Sequence, residues 1–205
     1  LATIAMFLGL AGSVFAQTDE AGQLIAKLDG ADVRQVWETS NALADLGEDA
    51  LPALEKGLGA SPESVRLGCA RALLLQGEED KAVEALIAMV RDTRDEPTRR
   101  NALDLLVSNE ISEAAEPLWE LNPKILDPES RVRLLLTCSQ LGSEYMNASR
   151  KQLKAMLRSQ DDTTRFEAAV ALAEIKDYES ANAVLEKFAD EPTERGRRAR
   201  LYREM

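Results

Sequence analysis

The tripeptide Pro-Glu-Ser appears at Pro62–Ser64 and again at Pro128–Ser130, 66 residues further on. Each copy follows a residue able to cap a helix, offers a proline suited to a first helical turn, and places an acid at the positive end of the helix dipole. Comparable starts stand at Asp29-Gly30-Ala31-Asp32, Asp95-Glu96-Pro97-Thr98, Asp161-Asp162-Thr163-Thr164 and Asp190-Glu191-Pro192-Thr193. An arginine follows each start, at Arg34, Arg66, Arg99, Arg131, Arg165 and Arg198, in steps of 32, 33, 32, 34 and 33 residues. A period of this length decides the fold before any other feature does.

Within one period there is room for two helices and a tight turn. The first Ala/Leu-rich run stops on Gly47, Gly77 or Gly142, residues suited to a helix end. A second run follows, as in Ala50–Leu54, Ala82–Leu86, Ala114–Leu118 and Ala181–Leu185. The matching leucine of the fourth unit is Leu153, displaced by about three residues, which predicts a small insertion near 143–147. Apolar residues such as Val33, Val36, Trp37, Leu43 and Leu46, or Val83, Leu86, Ile87 and Val90, keep helical spacing along one stripe. A pair of short helices cannot bury such a stripe alone and must stack on its neighbours. The expected fold is all-α, a right-handed α-solenoid of about five stacked helix pairs, and a content of only 4% aromatic residues suits close helix packing better than sheet.

The arrangement DxxVR, AxxAL, Gly and ALPAL resembles the HEAT repeat, in the short form that includes phycobilisome-lyase-like units. The stretch GASPESVRLGCARALLLQGEEDKAVEALIAMV is the clearest copy, and the resemblance covers about residues 29–190. It implies an armadillo-like array whose second helices line the concave face, and it implies no single function, because such arrays serve many roles. Neither the WxxLGxxY frame of tetratricopeptide repeats nor the TPLHxA of ankyrin repeats is present.

The chain has no histidine. That removes HExxH zinc sites, Ser-His-Asp and Cys-His arrangements and a histidine general base. It also separates the chain from the HEAT-like deoxyhypusine hydroxylases, whose iron sits in repeated His-Glu pairs. Neither GxxxxGK[ST] nor GxGxxG occurs. The acids at Asp92, Asp95 and Glu96, and at Asp161 and Asp162, lack the alternating ligand spacing of a calcium loop and stand where helix caps belong. Cys69 and Cys138 lie in apolar helical runs and read as core residues, as do Trp37 and Trp119. Asn147-Ala148-Ser149 fits a glycosylation sequon, relevant in a eukaryotic source. No cofactor and no metal is expected, and the chain reads as a non-enzyme.

Residues 1–16, LATIAMFLGLAGSVFA, are uncharged and end in a small-residue pattern before polar Gln17-Thr18-Asp19-Glu20. This resembles the apolar core and cleavage site of a secretory signal peptide, expected to lack its leading residues; the rival reading, a membrane anchor, would need the ~20 residues of a membrane span. The expected organisation is a signal peptide at 1–16, an N-terminal capping helix at 17–31, the repeat array at 32–190, and at 191–205 the start of a further helical unit or a linker. Export to the periplasm or outside the cell follows, without membrane insertion once the signal is removed.

The net charge is −11, and without the last eleven residues the body carries 20 basic and 35 acidic residues, or −15. Such a body repels nucleic acid and anionic lipid. The basic tail, Arg195 to Arg203, reads as a solvated helix end or a linker. On the second helices, positions facing away from the stripe include Glu84, Arg91, Glu116, Glu120, Lys151 and Arg158, an acidic band passing into a basic one. Mixed charge of this kind suits a protein or peptide partner. The leading expectation is a non-catalytic interaction or scaffolding module. Two rivals are an accessory domain of a larger exported enzyme, such as a processing protease, and a bilin-lyase-like activity.

Overall fold

The structure, a computed structural model, describes residues 20–125 and 127–203. The segment expected to be a signal peptide lies outside the described residues. Among the described residues there are twelve α-helices and no strand. The chain divides into two compact bodies, one running to Leu105 and the other from Leu106.

The N-terminal body holds α1 (residues 20–27), α2 (Val33–Asp45), α3 (Leu51–Leu58), α4 (Glu63–Gln76), α5 (Glu79–Asp92) and most of α6 (Glu96–Ser108). The C-terminal body continues with α7 (Ala115–Leu121), α8 (Pro128–Leu141), α9 (Met146–Met156), α10 (Asp162–Glu174), α11 (Tyr178–Phe188) and α12 (Glu194–Arg203). The first helices begin at Val33, Glu63, Glu96, Pro128, Asp162 and Glu194, in steps of 30, 33, 32, 34 and 32 residues.

Within each body a helix packs on its sequence neighbour and on the helix two places along. In the first, α4 touches α2, α3 and α5; in the second, α10 touches α8, α9, α11 and α12. Helices in this central position are buried nearly all round, and their sequences are apolar all round for that reason. Thus α10 buries Phe166, Ala168, Ala169, Val170, Ala171, Leu172 and Ala173 in succession. The second helices α3, α5, α9 and α11 bury a single stripe, for example Val83, Leu86, Met89 and Val90 on α5. Each fully buried leucine, such as Leu43, Leu54, Leu73, Leu86 or Leu185, contributes about 1.5–3 kcal/mol through removal from water. In the C-terminal core Phe166 meets Phe188 edge to face, with centroids 5.4 Å apart.

Glycines let the layers approach. A Cβ on Gly57 of α3 would lie 2.3 Å from the Cys69 sulfur, and one on Gly68 of α4 would lie 2.7 Å from the methyls of Leu28. Leu28, just past α1, is fully buried, and its carbonyl accepts the Ser64 hydroxyl at 2.5 Å.

Several helix starts follow the expected chemistry. Asp32 and Gln35 form a reciprocal capping box, and Asp95, Asp127 and Asp161 each accept a backbone N–H three residues on. Side-chain and backbone hydrogen bonds from Thr164 hold the Asp161 carboxyl below its usual range. Ser61 departs from expectation: the residue at the cap of α4 is Pro62, which has no side-chain oxygen, and no side chain closes that helix start. At α12 the Thr193 hydroxyl accepts the Gly196 N–H and caps the helix.

Helix ends differ too. Gly77 adopts φ +82° and closes α4 as expected, but Gly142 is extended at φ −132°. Gly142 is there for space, since a Cβ would lie 2.7 Å from the Tyr145 ring and 3.0 Å from Ala115 Cβ. The left-handed turns after α6 and α10 are made by Glu110 (φ 56°) and Lys176 (φ 63°). The stretch expected to hold an insertion contains the 3-10 turn Ser143–Tyr145, and similar turns precede α3 and α7. Leu153 is then the eighth residue of α9, just as Leu86 is of α5 and Leu185 of α11.

Val33, placed on the apolar stripe, is 47% exposed. It opens α2, and the stripe becomes buried only from Val36 onward.

Candidate interaction surface

Because the second helices bury one stripe, their opposite faces carry the charges. In the N-terminal body Glu84 and Arg91 project from α5 and are exposed. Arg91 donates to both carboxylate oxygens of Asp92 at 2.8 and 2.7 Å. This hydrogen bonding and the attraction of the two charges raise the Arg91 pKa, and the same hydrogen bond lowers that of Asp92. One helix over, Lys81 of α5 pairs with Glu55 of α3.

In the C-terminal body Glu116 and Glu120 are exposed on α7, Lys151 is exposed on α9, and Arg158 is exposed in the turn just past α9. All six residues expected to face a partner are therefore accessible, two in one body and four in the other. Beneath them lie polar latches. Arg131 at the start of α8 donates to Asn122 at 2.9 Å and to Gln152 of α9 at 3.2 Å, and Asn122 donates to the same Gln152 oxygen at 3.0 Å. Asn122 is buried, and an unsatisfied amide there would be costly, so the network holds α7, α8 and α9 in one arrangement. Further along, Asp177 caps α11 and pairs with Lys154 at 2.8 Å and Arg150 at 3.4 Å. Burial pushes the Asp177 carboxyl up, but the hydrogen bonds from Lys154 and Ser180 outweigh it and hold the group below its ordinary range.

Sequence reasoning missed an aromatic feature in this body. Trp119 of α7 stacks on Tyr145, with centroids 5.2 Å apart and planes at 28°. Trp119 is half-buried against the core, so part of its surface is open to solvent and it is not a core residue alone. Partial burial, then the charges of Glu116 and Glu144, push the Tyr145 hydroxyl up. The available signal was a tyrosine inside the insertion, which becomes meaningful only once the turn folds back on α7. Trp37 is likewise half-buried, with Arg71 over its ring at 5.1 Å.

The basic tail forms α12, and several of its side chains are held by neighbouring groups. Arg198 makes paired hydrogen bonds of 2.7 and 3.0 Å to Glu167, Tyr202 donates to Glu174 at 2.7 Å, Arg195 binds Glu191, and Arg200 reaches the Ala189 carbonyl. Acids on α10 and at the end of α11 thus consume the tail's charge and dock α12. Leu201 on the outer side of α12 is 59% exposed.

The chemistry on offer is narrow. Both cysteines are free, fully buried thiols pushed up to about 12 by burial, which leaves them protonated and unreactive. Among the described residues no group of three His, Cys, Asp or Glu side chains is placed to hold a metal ion. None of the described helices is long and apolar enough to cross a membrane. An open depression of about 390 Å³ lined by Lys27, Gln35, Glu38 and Thr39 is polar and shallow. Compared with known proteins, the chain matches no family model and no curated protein.

Proposed function

We propose that the chain is a HEAT-like repeat array acting as a non-catalytic interaction module of an exported protein, taking up protein or peptide segments on the exposed faces of its second helices. One observation carries this reading: the second helices bury one stripe and hold charged side chains in solvent on the other, on a scaffold fixed by buried polar latches. Rigid elements that present side chains of both signs favour a specific polypeptide partner over a uniform polyanion. The absence of histidine and the buried state of both thiols support a binding role without catalysis.

Selection of a displayed random-peptide library on the full chain tests the proposal. A consensus should emerge, and charge reversal at Glu84, Arg91, Glu116, Glu120, Lys151 and Arg158 should abolish its capture. No enrichment, or capture indifferent to all six reversals, would refute it. Export is tested separately by sequencing the N-terminus of the protein recovered from its source, which should begin at Gln17.

A further inference from the structure

We propose that the stacked Trp119–Tyr145 pair, rimmed by Glu116, Glu120 and Glu144, receives an arginine side chain from a basic peptide segment. The assignment rests on the interaction-module reading and names its chemistry at one place.

The aromatic faces of this protein show what they take. Arg71 lies 5.1 Å from the centre of Trp37, Arg195 lies 4.6 Å from Phe188, and Arg198 lies 5.1 Å from Phe166. In three places, then, the chain supplies its own guanidinium to a ring, an arrangement stabilised by the negative face of the π-system. Among the described residues no cation of the chain lies over Trp119 or Tyr145.

What surrounds the pair is negative. Glu116 and Glu120 stand one helical turn apart on α7, either side of Trp119 in the sequence, and Glu144 precedes Tyr145 in the turn. All three carboxylates are exposed, and none makes an ion pair among the described residues. Their charges reach the Tyr145 hydroxyl, where all three disfavour ionisation. Like charges at this spacing repel one another, and an incoming cation relieves that repulsion.

The pair is also held in place. Trp119 packs against the core, and Tyr145 lies over Gly142, whose missing side chain leaves the space its ring needs. A preordered aromatic platform loses little freedom when a ligand arrives.

A metal ion does not fit this setting, because the acids are not grouped to ligate one. Guanidinium does fit: it is planar, stacks on rings and donates to carboxylates in the same geometry. The complement of an aromatic stack with an acidic rim is therefore an arginine, with lysine as the weaker alternative.

The test uses the full chain labelled with ¹⁵N and a blocked Gly-Arg-Gly-Arg-Gly peptide, with Gly-Glu-Gly-Glu-Gly as control. The Trp119 indole and the amides of α7 should shift saturably with the arginine peptide and remain still with the control. The Trp37 indole should not move. Replacing the three rim acids together, Glu116→Gln, Glu120→Gln and Glu144→Gln, should weaken binding about tenfold, as expected for several solvent-exposed ion pairs lost at once. These positions are exposed, so the fold and the Trp119 signal should persist. No shift at Trp119, the same shift with the glutamate peptide, or undiminished binding by the triple variant would each overturn the assignment. If the library selection yields peptides whose capture the triple variant leaves unchanged, the interaction reading stands and this assignment falls. If it yields none while the arginine peptide still saturates at Trp119, the broader reading falls and the site remains.

Discussion

Gly57→Ala combined with Cys69→Ala tests how closely the helix layers are packed. The new Cβ at position 57 would lie 2.3 Å from the Cys69 sulfur, about 1 Å short of ordinary contact, and Cys69 is fully buried. Such overpacking costs about 1–3 kcal/mol, and the better helix propensity of alanine returns about 1 kcal/mol, so Gly57→Ala should destabilise by about 1 kcal/mol. Cys69→Ala alone leaves a small void and should also cost about 1 kcal/mol. In the double variant the added methyl occupies the space of the lost sulfur, and stability should return to about that of the parent. The cycle then gives a coupling of about 2 kcal/mol, well outside the roughly 0.5 kcal/mol scatter of independent sites. Urea unfolding followed by Trp37 fluorescence in a Trp119→Phe background reads the body that contains both residues. Additive losses would refute the close approach of α3 and α4.

Lys176→Gly should stabilise the C-terminal body by about 0.5 kcal/mol, since the left-handed backbone there strains any residue with a Cβ and the entropy of glycine offsets only part of the gain; a lower urea midpoint would contradict this. Asp177→Asn should cost about 1.5 kcal/mol at neutral pH through loss of a charged hydrogen-bond acceptor. The Asp177 carboxyl is held below its ordinary 3.8, so its contribution is complete above that value and is lost as pH falls through the folded pKa. The two proteins should therefore converge in acid, and a gap that persists to the lowest pH would sink the electrostatic account. Cys69 and Cys138, pushed up to about 12 by burial, should resist a thiol reagent at pH 8 in the native protein and react fully in denaturant, whereas labelling of the native protein would show an open core.

Much of the fold was legible because its signals are local. A capping aspartate, a proline in the first turn and a glycine able to adopt positive φ act within a few residues, and Asp32, Asp127, Asp161, Pro128 and Gly77 all appear where their chemistry places them. The misses come from tertiary context overriding those signals. Glu110 and Lys176 adopt left-handed turns without being glycine, and at Lys176 the turn lets α11 fold back onto α10. Gly142 looks like a helix end by composition, yet what fixes it is the Tyr145 ring above it. The Trp119–Tyr145 stack joins residues from two different repeats, so no pattern within one repeat reveals it.

The recurring arginine shows how a sequence ruler acquires a physical cause. Arg34 lies in solvent and pairs with Glu38 on its own helix. Arg66 likewise pairs with Glu63 on its own helix, whereas the next three copies reach backward to the end of the preceding second helix. Arg99 donates to the carbonyls of Val90 and Thr93, Arg165 to that of Ser159, and Arg131 to the Asn122 side chain that closes α7. Carbonyls at a helix C-terminus lack intrahelical partners and carry the negative end of the dipole, so a guanidinium is a fitting cap. Each such charged hydrogen bond contributes about 1.5–3 kcal/mol when partly shielded. At the last copy the work divides, with Arg198 turning to Glu167 while Arg200 takes the Ala189 carbonyl. At Arg99, Arg131 and Arg165 the recurring arginine thus closes the open end of the preceding second helix from the start of the next first helix. At those three positions the residue that marks the repeat is a structural latch, unlike the exposed side chains of Glu84, Glu116, Glu120 and Lys151 on the second helices.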